Sequence, residues 1–234
     1  MTLLLLDTSG PVCGAAIVRD GRIAGEISCL SGRRHSVQAM RIVDELLENT
    51  GVARESVDAY AAVCGPGSFT GIRIGVAEIA AMAEAAGKPC AAVNALEALA
   101  AGAGAYEGLI CPLIDARTPR VYTALFRARP DRPERLSEDR LTEIGDVIRA
   151  LSGGQERVLF AGDGAYAHRA ALREGLGNRA LFAPEHLNGL RPGAACLLAA
   201  ADAEAGGLLD PSRLRPVYLQ PTQAERDLKK RTDA

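Results

Sequence analysis

The chain has no tryptophan, only 4% aromatic residues, three lysines, three histidines and no C-x-x-C pair, and each shortage removes a class of function. Proteins that grip single-stranded nucleic acid lay bases on aromatic rings, so a stacking platform is not expected. Lys88, Lys229 and Lys230 are the only lysines and the other basic residues are arginine, which removes most candidates for a phosphate-gripping or Schiff-base lysine. The six cysteines, at 13, 29, 64, 90, 111 and 196, lie far apart in apolar stretches with no clustered histidine, and read as buried reduced thiols. No run reaches the ~18 continuous apolar residues of a membrane span, and no basic region followed by a cleavable apolar stretch opens the chain. A soluble, cytoplasmic protein is expected.

What is present is size and small side chains. A chain of 234 residues is long enough for one large domain or two small ones, and needs no disulfide or metal to hold a core. It carries 42 alanines and 25 glycines, which suit close approach of backbones and leave few large anchors for a ligand pocket. With 27 basic and 29 acidic residues and a pI near 6.0, no global field draws it onto phosphate backbones; any service to nucleic acid goes through a partner.

Along the chain, 2–6, 12–18 and 22–28 read as three strands of a meander, with Asp20-Gly21 at the second turn. A helix over 36–50 ends at Gly51, a buried strand follows at 59–64, and a long Ala-rich helix over 72–86 ends at Gly87. A strand at 90–93 and a helix at 95–101 complete an alternating α/β unit. The Gly/Ala stretch 101–108 marks a boundary. Beyond it, a strand at 109–114 ends in Asp115, a turn holds 117–120, and a strand follows at 121–126, repeating the strand, Asp, turn, strand order seen at Asp7 as a weak internal duplication. A charged loop (127–140), a helix (143–151), a strand (158–161), the Gly162-Asp163-Gly164 turn, helices over 166–175 and 192–205 and a last strand at 215–219 complete the reading. Residues 222–234 read as a solvated, mobile charged tail.

The segment Gly65-Pro66-Gly67-Ser68-Phe69-Thr70-Gly71, between a strand and a helix, carries the most information. Backbone N–H groups at a helix N-terminus favour an anion. The spacing and the missing lysine exclude a Walker phosphate loop, and Pro66 and Thr70 on either side of Ser68 exclude a serine nucleophile elbow. From the residues alone the segment reads as a tight turn with Ser68 or Thr70 capping the helix.

The string from Gly65 to Gly75 (GPGSFTGIRIG), together with Leu6-Asp7-Thr8-Ser9, His35-Ser36, Leu96-Glu97-Ala98-Leu99, Ile114-Asp115-Ala116-Arg117 and Pro216-Val217-Tyr218-Leu219, resembles the TsaB (YeaZ) family, and the matches run nearly the whole chain. The resemblance implies an α/β fold of two actin-like (ASKHA, ribonuclease H-like) lobes with mixed sheets flanked by helices: a partner-binding lobe at 1–103, a smaller lobe at 104–221 and the tail. It also implies a role in bacterial synthesis of threonylcarbamoyladenosine, the modified base beside the anticodon of certain tRNAs. Such proteins resemble the catalytic subunit TsaD, pair with it as a heterodimer, join TsaE in a ternary complex, reach tRNA only indirectly, and are not known to catalyse the transfer.

The residues agree with a subunit that holds no cofactor or metal of its own. A TsaD-type metal site needs two histidines four apart, and His35 has Ala39 at that offset. Actin-like ATPases clasp phosphates with two Asp-bearing hairpins. Asp7 and Thr8 keep part of the first; at the second, after Asp115, Arg117-Thr118-Pro119 puts bulk and a missing N–H where glycines would allow close approach. A lone G-x-G at 162–164 is explained by an ordinary strand-to-helix turn, and the glycoprotease label of this superfamily finds no H-E-x-x-H and no recognisable triad. The helices over 36–50 and 72–86 are expected to form the partner face, with His35, Val37, Met40, Arg41, Asp44, Gly75, Glu78 and Met82 as its candidates and Arg73 joining the loop motif; a homodimer of the isolated chain would use the same face. The rival readings are a self-sufficient actin-like ATPase or metal-dependent hydrolase, and an anion-sensing module built on the Gly65 to Gly71 turn.

Overall fold

The computed structural model describes residues 1–30, 35–104, 106–117 and 119–220. Strands β1 (Thr2–Asp7), β2 (Val12–Arg19) and β3 (Arg22–Leu30) form an antiparallel meander, its second turn made by Asp20 and Gly21 at φ of 52° and 73°. Helix α1 (His35–Thr50) ends at Gly51, which takes φ of 63°. Strand β4 (Ala59–Gly65) lies parallel to β1, helix α2 (Phe69–Ala86) ends at left-handed Gly87, and β5 (Cys90–Asn94) and α3 (Ala95–Gly102) follow. The first sheet therefore has the order β3-β2-β1-β4-β5. Every residue of β1 and β4 is buried because both faces of the sheet are covered, which is why these strands read as unbroken apolar runs. Leu4, Leu6, Tyr60 and Cys64 pack under α1 and α2, while Leu3, Leu5, Ala61 and Val63 face the opposite side.

The second half repeats the plan. Strand β6 (Leu109–Asp115) is followed by β7 (Arg120–Thr123), β8 (Phe126–Arg127), β9 (Glu134–Arg135), β10 (Arg140–Glu143), α4 (Ile144–Ser152), β11 (Val158–Ala161), α5 (Asp163–Ala167), α6 (Arg169–Leu176), β12 (Ala180–Phe182), α7 (Glu185–Asn188) and α8 (Pro192–Glu204). The sheet order β10-β7-β6-β11-β12 matches the first, antiparallel on one side of the central strand and parallel on the other. Asp7 and Asp115 end the corresponding strands β1 and β6, so the duplication read from sequence is a duplication of topology.

Four sequence expectations change. The strand expected over 121–126 is broken between Thr123 and Phe126: β7 pairs with β6 at 113–115 and β8 pairs with it at 109–110. Pro112 stands between the two ladders, cannot donate to either, and its carbonyl accepts the Thr123 hydroxyl at 2.9 Å. The helix expected over 166–175 is two helices broken at His168, and the short strands β10 and β12 fall in stretches without a strand signal. Residues 215–219 form no strand. Pro216 lacks an N–H, and the backbone–backbone hydrogen bond of the segment is Val217 N–H to the Cys64 carbonyl at 2.7 Å. The charged tail at 222–234 lies outside the described residues.

Helix α8, although it comes after the second sheet, covers the far face of the first, with Ala195, Cys196, Ala199 and Ala203 against Leu3, Leu5, Ala16 and Val93. Close approach is permitted by small residues: a Cβ on Gly14 would stand 2.6 Å from Pro192 Cγ. The loop after β8 ties the halves together as Arg132 reaches Glu97 of α3 at 2.6 Å and also Asp202 of α8. Among the described residues all six cysteines are free thiols, five of them buried. No helix among them is long and apolar enough to cross a membrane.

Candidate functional site

A cleft of about 1180 Å³ lies where the segments that follow β1 and β4 meet the end of β6. The Gly65 to Gly71 segment lines one wall, Asp115, Arg117 and Arg120 another, and Tyr218 its rim.

On the first wall the glycines are explained by contact with the protein's own chain. Residues 67, 71 and 75 fall four apart, on one face of α2 and the turn that leads into it, and this face lies on the turn after β1. A Cβ at Gly67, Gly71 or Gly75 would come within 3.0 Å of the Ser9 carbonyl, the Thr8 carbonyl or the Thr8 hydroxyl respectively. Gly65, at φ of 120°, passes as closely to the Val217 carbonyl, and the Gly65-Pro66 peptide is cis. Hydrogen bonds lock the contact: Ser68 N–H to the Ser9 carbonyl at 2.7 Å, and the Thr8 hydroxyl to the Gly71 carbonyl at 2.7 Å. Ser68 caps α2 by accepting the Gly71 N–H at 3.2 Å, as read from sequence; Thr70 lies inside the helix and is exposed.

Asp7 is 1% exposed and accepts the Ser9 N–H at 2.8 Å. Burial pushes its carboxyl up to about 6, against the pull of the Ser9 hydrogen bonds. In the second half, Asp115 is exposed and accepts the Arg117 N–H at 2.9 Å, with Arg117 at φ of 69°; Thr118 lies outside the described residues. Asp163 accepts the N–H groups of Asp115 and Gly164, both at 2.9 Å, and burial raises its pKa. Gly162 and Gly164 lie against the Leu113 carbonyl. The groups that would face phosphates in an actin-like clasp are thus largely engaged in holding turns of this chain together. Among the described residues no three His, Cys, Asp or Glu side chains gather where they could share a metal ion.

The partner-face candidates divide. Val37 is 60% exposed, Arg41 and Asp44 are exposed, and Asp44 pairs with Arg54 at 2.6 Å. Met40, Glu78 and Met82 are half-buried along a groove of about 630 Å³ between α1 and α2, with Tyr60 beneath. His35 is buried, hydrogen-bonds the Gly10 backbone, and burial lowers its pKa. Gly75 is buried on Thr8, so it serves the contact between α2 and β1 and offers the outer face no surface. Phe69 and Arg73 turn to the cleft rim, where Arg73 sits 5.5 Å over Phe69 and Phe69 stacks on Tyr218 at 4.5 Å. Sequence reasoning left Tyr218 without a role: its partner lies far back along the chain, and only the Pro216 to Leu219 string marked it.

Two sheets of one topology, a cleft between them and an Asp at the end of each leading strand define the two-lobed actin-like class. The dehydratase component A of Acidaminococcus fermentans shows the same fold at a TM-score of 0.50 and 15% identity, over 87% of this chain and 99% of that one. A crystal structure from Pseudomonas aeruginosa, of a protein described as similar to peptidase YeaZ, superposes at a TM-score of 0.80 with 28% identity over 94% of this chain and 99% of that one. The family described as TsaD, tRNA N6-adenosine threonylcarbamoyltransferase, matches residues 25–206. The tRNA threonylcarbamoyladenosine biosynthesis protein TsaB of Bacillus subtilis is 32% identical over 225 residues, 96% of each chain. The chain belongs to the TsaB (YeaZ) family.

Two predictions test this geometry. In a helix interior Gly→Ala ordinarily stabilises by about 1 kcal/mol. Gly71→Ala is instead expected to lower the unfolding free energy by about 1–3 kcal/mol, because the methyl meets a backbone carbonyl. Gly10→Ala, whose Cβ meets nothing within 4 Å, is expected to change it by less than about 0.5 kcal/mol in the same urea titrations. For Asp7 the folded pKa of about 6 lies above the ordinary 3.8, so the unfolded chain loses this proton first and its contribution to stability falls as pH rises from 3.8 to about 6. Asp7→Asn keeps an acceptor for Ser9 and removes the ionisation. Its advantage over wild type should grow across that window and level off at about 3 kcal/mol. A difference that stays constant with pH would show that Asp7 titrates normally.

Proposed function

We propose that this chain is a non-catalytic subunit of threonylcarbamoyladenosine synthesis in the cytoplasm, which binds a TsaD-type transferase through α1 and α2 and keeps it competent for transfer to tRNA. The observation that carries this reading is the face between α1 and α2. There Val37, Ala77, Ala81 and Ala85 are exposed and Met40 and Met82 half-buried, on helices otherwise built into the core. Small side chains let a second pair of helices approach closely, and methionines adapt to whatever shape they meet. The named relatives in this pathway support the assignment, as does the match to the transferase family itself. A TsaE-type ATPase would join through the transferase in a ternary complex, tRNA would be reached indirectly, and a homodimer of the isolated chain would use the same face and be displaced by the transferase.

The engagement of Thr8 and Ser9 by the start of α2, and of Asp7 by the Ser9 N–H, supports the non-catalytic half of the proposal. A self-sufficient actin-like ATPase predicts tight ATP-magnesium binding with turnover by the isolated chain. Calorimetry is expected to find neither, and finding both would remove the scaffold reading. Met40→Arg and Met82→Arg are expected to abolish co-purification with the TsaD homologue of the same genome while leaving thermal unfolding within a few degrees of wild type. Undiminished co-purification and modification would place the interface elsewhere.

A further inference from the structure

The groove between α1 and α2 has an apolar lining that includes Met40, Tyr60 and Met82, with Glu78 in its wall and Arg54, Glu55 and Lys88 also bordering it. One carboxylate oxygen of Glu78, Oε2, is buried and has no hydrogen-bond partner, and Glu78 takes part in no ion pair among the described residues. Arg54, at the rim of the same groove, is already held by Asp44 at 2.6 Å. A buried carboxylate oxygen without a donor carries a desolvation cost that a packed core normally avoids, and burial duly raises the pKa of this group. A groove with aliphatic and thioether side chains in its walls and an unpartnered acid among them is complementary to a long apolar stem ending in a cation.

We propose that the α1–α2 groove receives an arginine or lysine side chain from a helix of the TsaD-type partner, its stem between Met40 and Met82 and its cationic head on Glu78. This rests on the partner reading above and adds the chemistry that selects the partner. Glu78 is then a specificity residue: alone it costs the free chain stability, and only a correctly placed cation relieves that cost, so a helix presenting an apolar or acidic side chain at the same point is rejected.

The test uses the full chain and the purified TsaD homologue in titration calorimetry over a series of sodium chloride concentrations, with Glu78→Gln as the variant. Glu78→Gln is nearly isosteric and is expected to weaken binding by about 30-fold or more and to flatten its salt dependence. The melting temperature of the free variant is expected to stay level or rise, since the orphaned acid is gone; this combination separates a lost ion pair from damaged folding. Unchanged affinity and salt slope in Glu78→Gln, with wild type binding normally, would overturn the cation slot and leave the partner reading standing. No binding by wild type would overturn both. If instead sedimentation shows wild type dimerising with a salt-sensitive affinity that Glu78→Gln loses, and the TsaD homologue does not compete, the occupant is a second copy and the proposal falls.

Discussion

The contact between the start of α2 and the turn after β1 is the constraint on which the rest of the molecule is arranged. Residues 67, 71 and 75 bring the helix so close to Thr8 and Ser9 that no side chain fits between them. Two hydrogen bonds, from Ser68 to Ser9 and from Thr8 to Gly71, hold helix and strand at that distance. Because α2 is pinned at its beginning, β4 is drawn parallel to β1, Phe69 and Arg73 are set at the mouth of the cleft, and the opposite face of the helix is turned outward beside α1. The most specific string in the sequence is thus explained first by steric approach. Two of the N–H groups that such a turn could offer an anion, those of Ser68 and Gly71, are taken by the Ser9 carbonyl and the Ser68 hydroxyl.

The same turn shows how a duplicated fold can keep its residues while changing their work. Asp7 and Asp115 end corresponding strands, yet one is buried beneath Ser9 and the other is exposed beside Arg117. Asp163, on the strand-to-helix turn of the second half, gathers the N–H groups of Asp115 and Gly164 and so ties β6 to α5. In each case a carboxylate satisfies backbone donors that the sharp turn leaves without partners. A carboxylate occupied in that way is a structural acceptor, and the two-lobed architecture persists because these acceptors hold its turns.

What the sequence made legible was local. The meander, the ends of α1 and α2 at Gly51 and Gly87, and β11 depend on residues within a few positions of themselves, and left-handed glycines announce helix ends directly. The misreadings share a non-local cause. The break between β7 and β8 is imposed by Pro112 on the facing strand, and Pro216 spoils a strand whose apolar pattern was otherwise adequate. Gly75 read as a surface residue because periodicity on an almost wholly apolar helix cannot say which side faces the sheet. The stacking of Tyr218 on Phe69 joins residues that no window of sequence contains together.

Helices α2 and α8 turn the alanine content into an argument about surface. Both are rich in small apolar residues nearly all round, the pattern of a helix covered on more than one side. For α8 the cover is present: the first sheet lies on one side and α3 on another, and Ala195, Cys196, Leu198, Ala199, Ala200 and Ala203 are buried. For α2 the sheet and α1 account for Ile72, Val76, Ile79 and Ala83, whereas Ala77, Ala81 and Ala85 remain exposed and Met82 half-exposed. Two helices of one composition, one enclosed and one open along a side, differ in what is missing. The open side of α2 is therefore the face on which the proposed partner would complete the packing that α8 receives from within the chain. Glu78, whose Oε2 is buried without a partner, is among the residues that line the groove along that same helix.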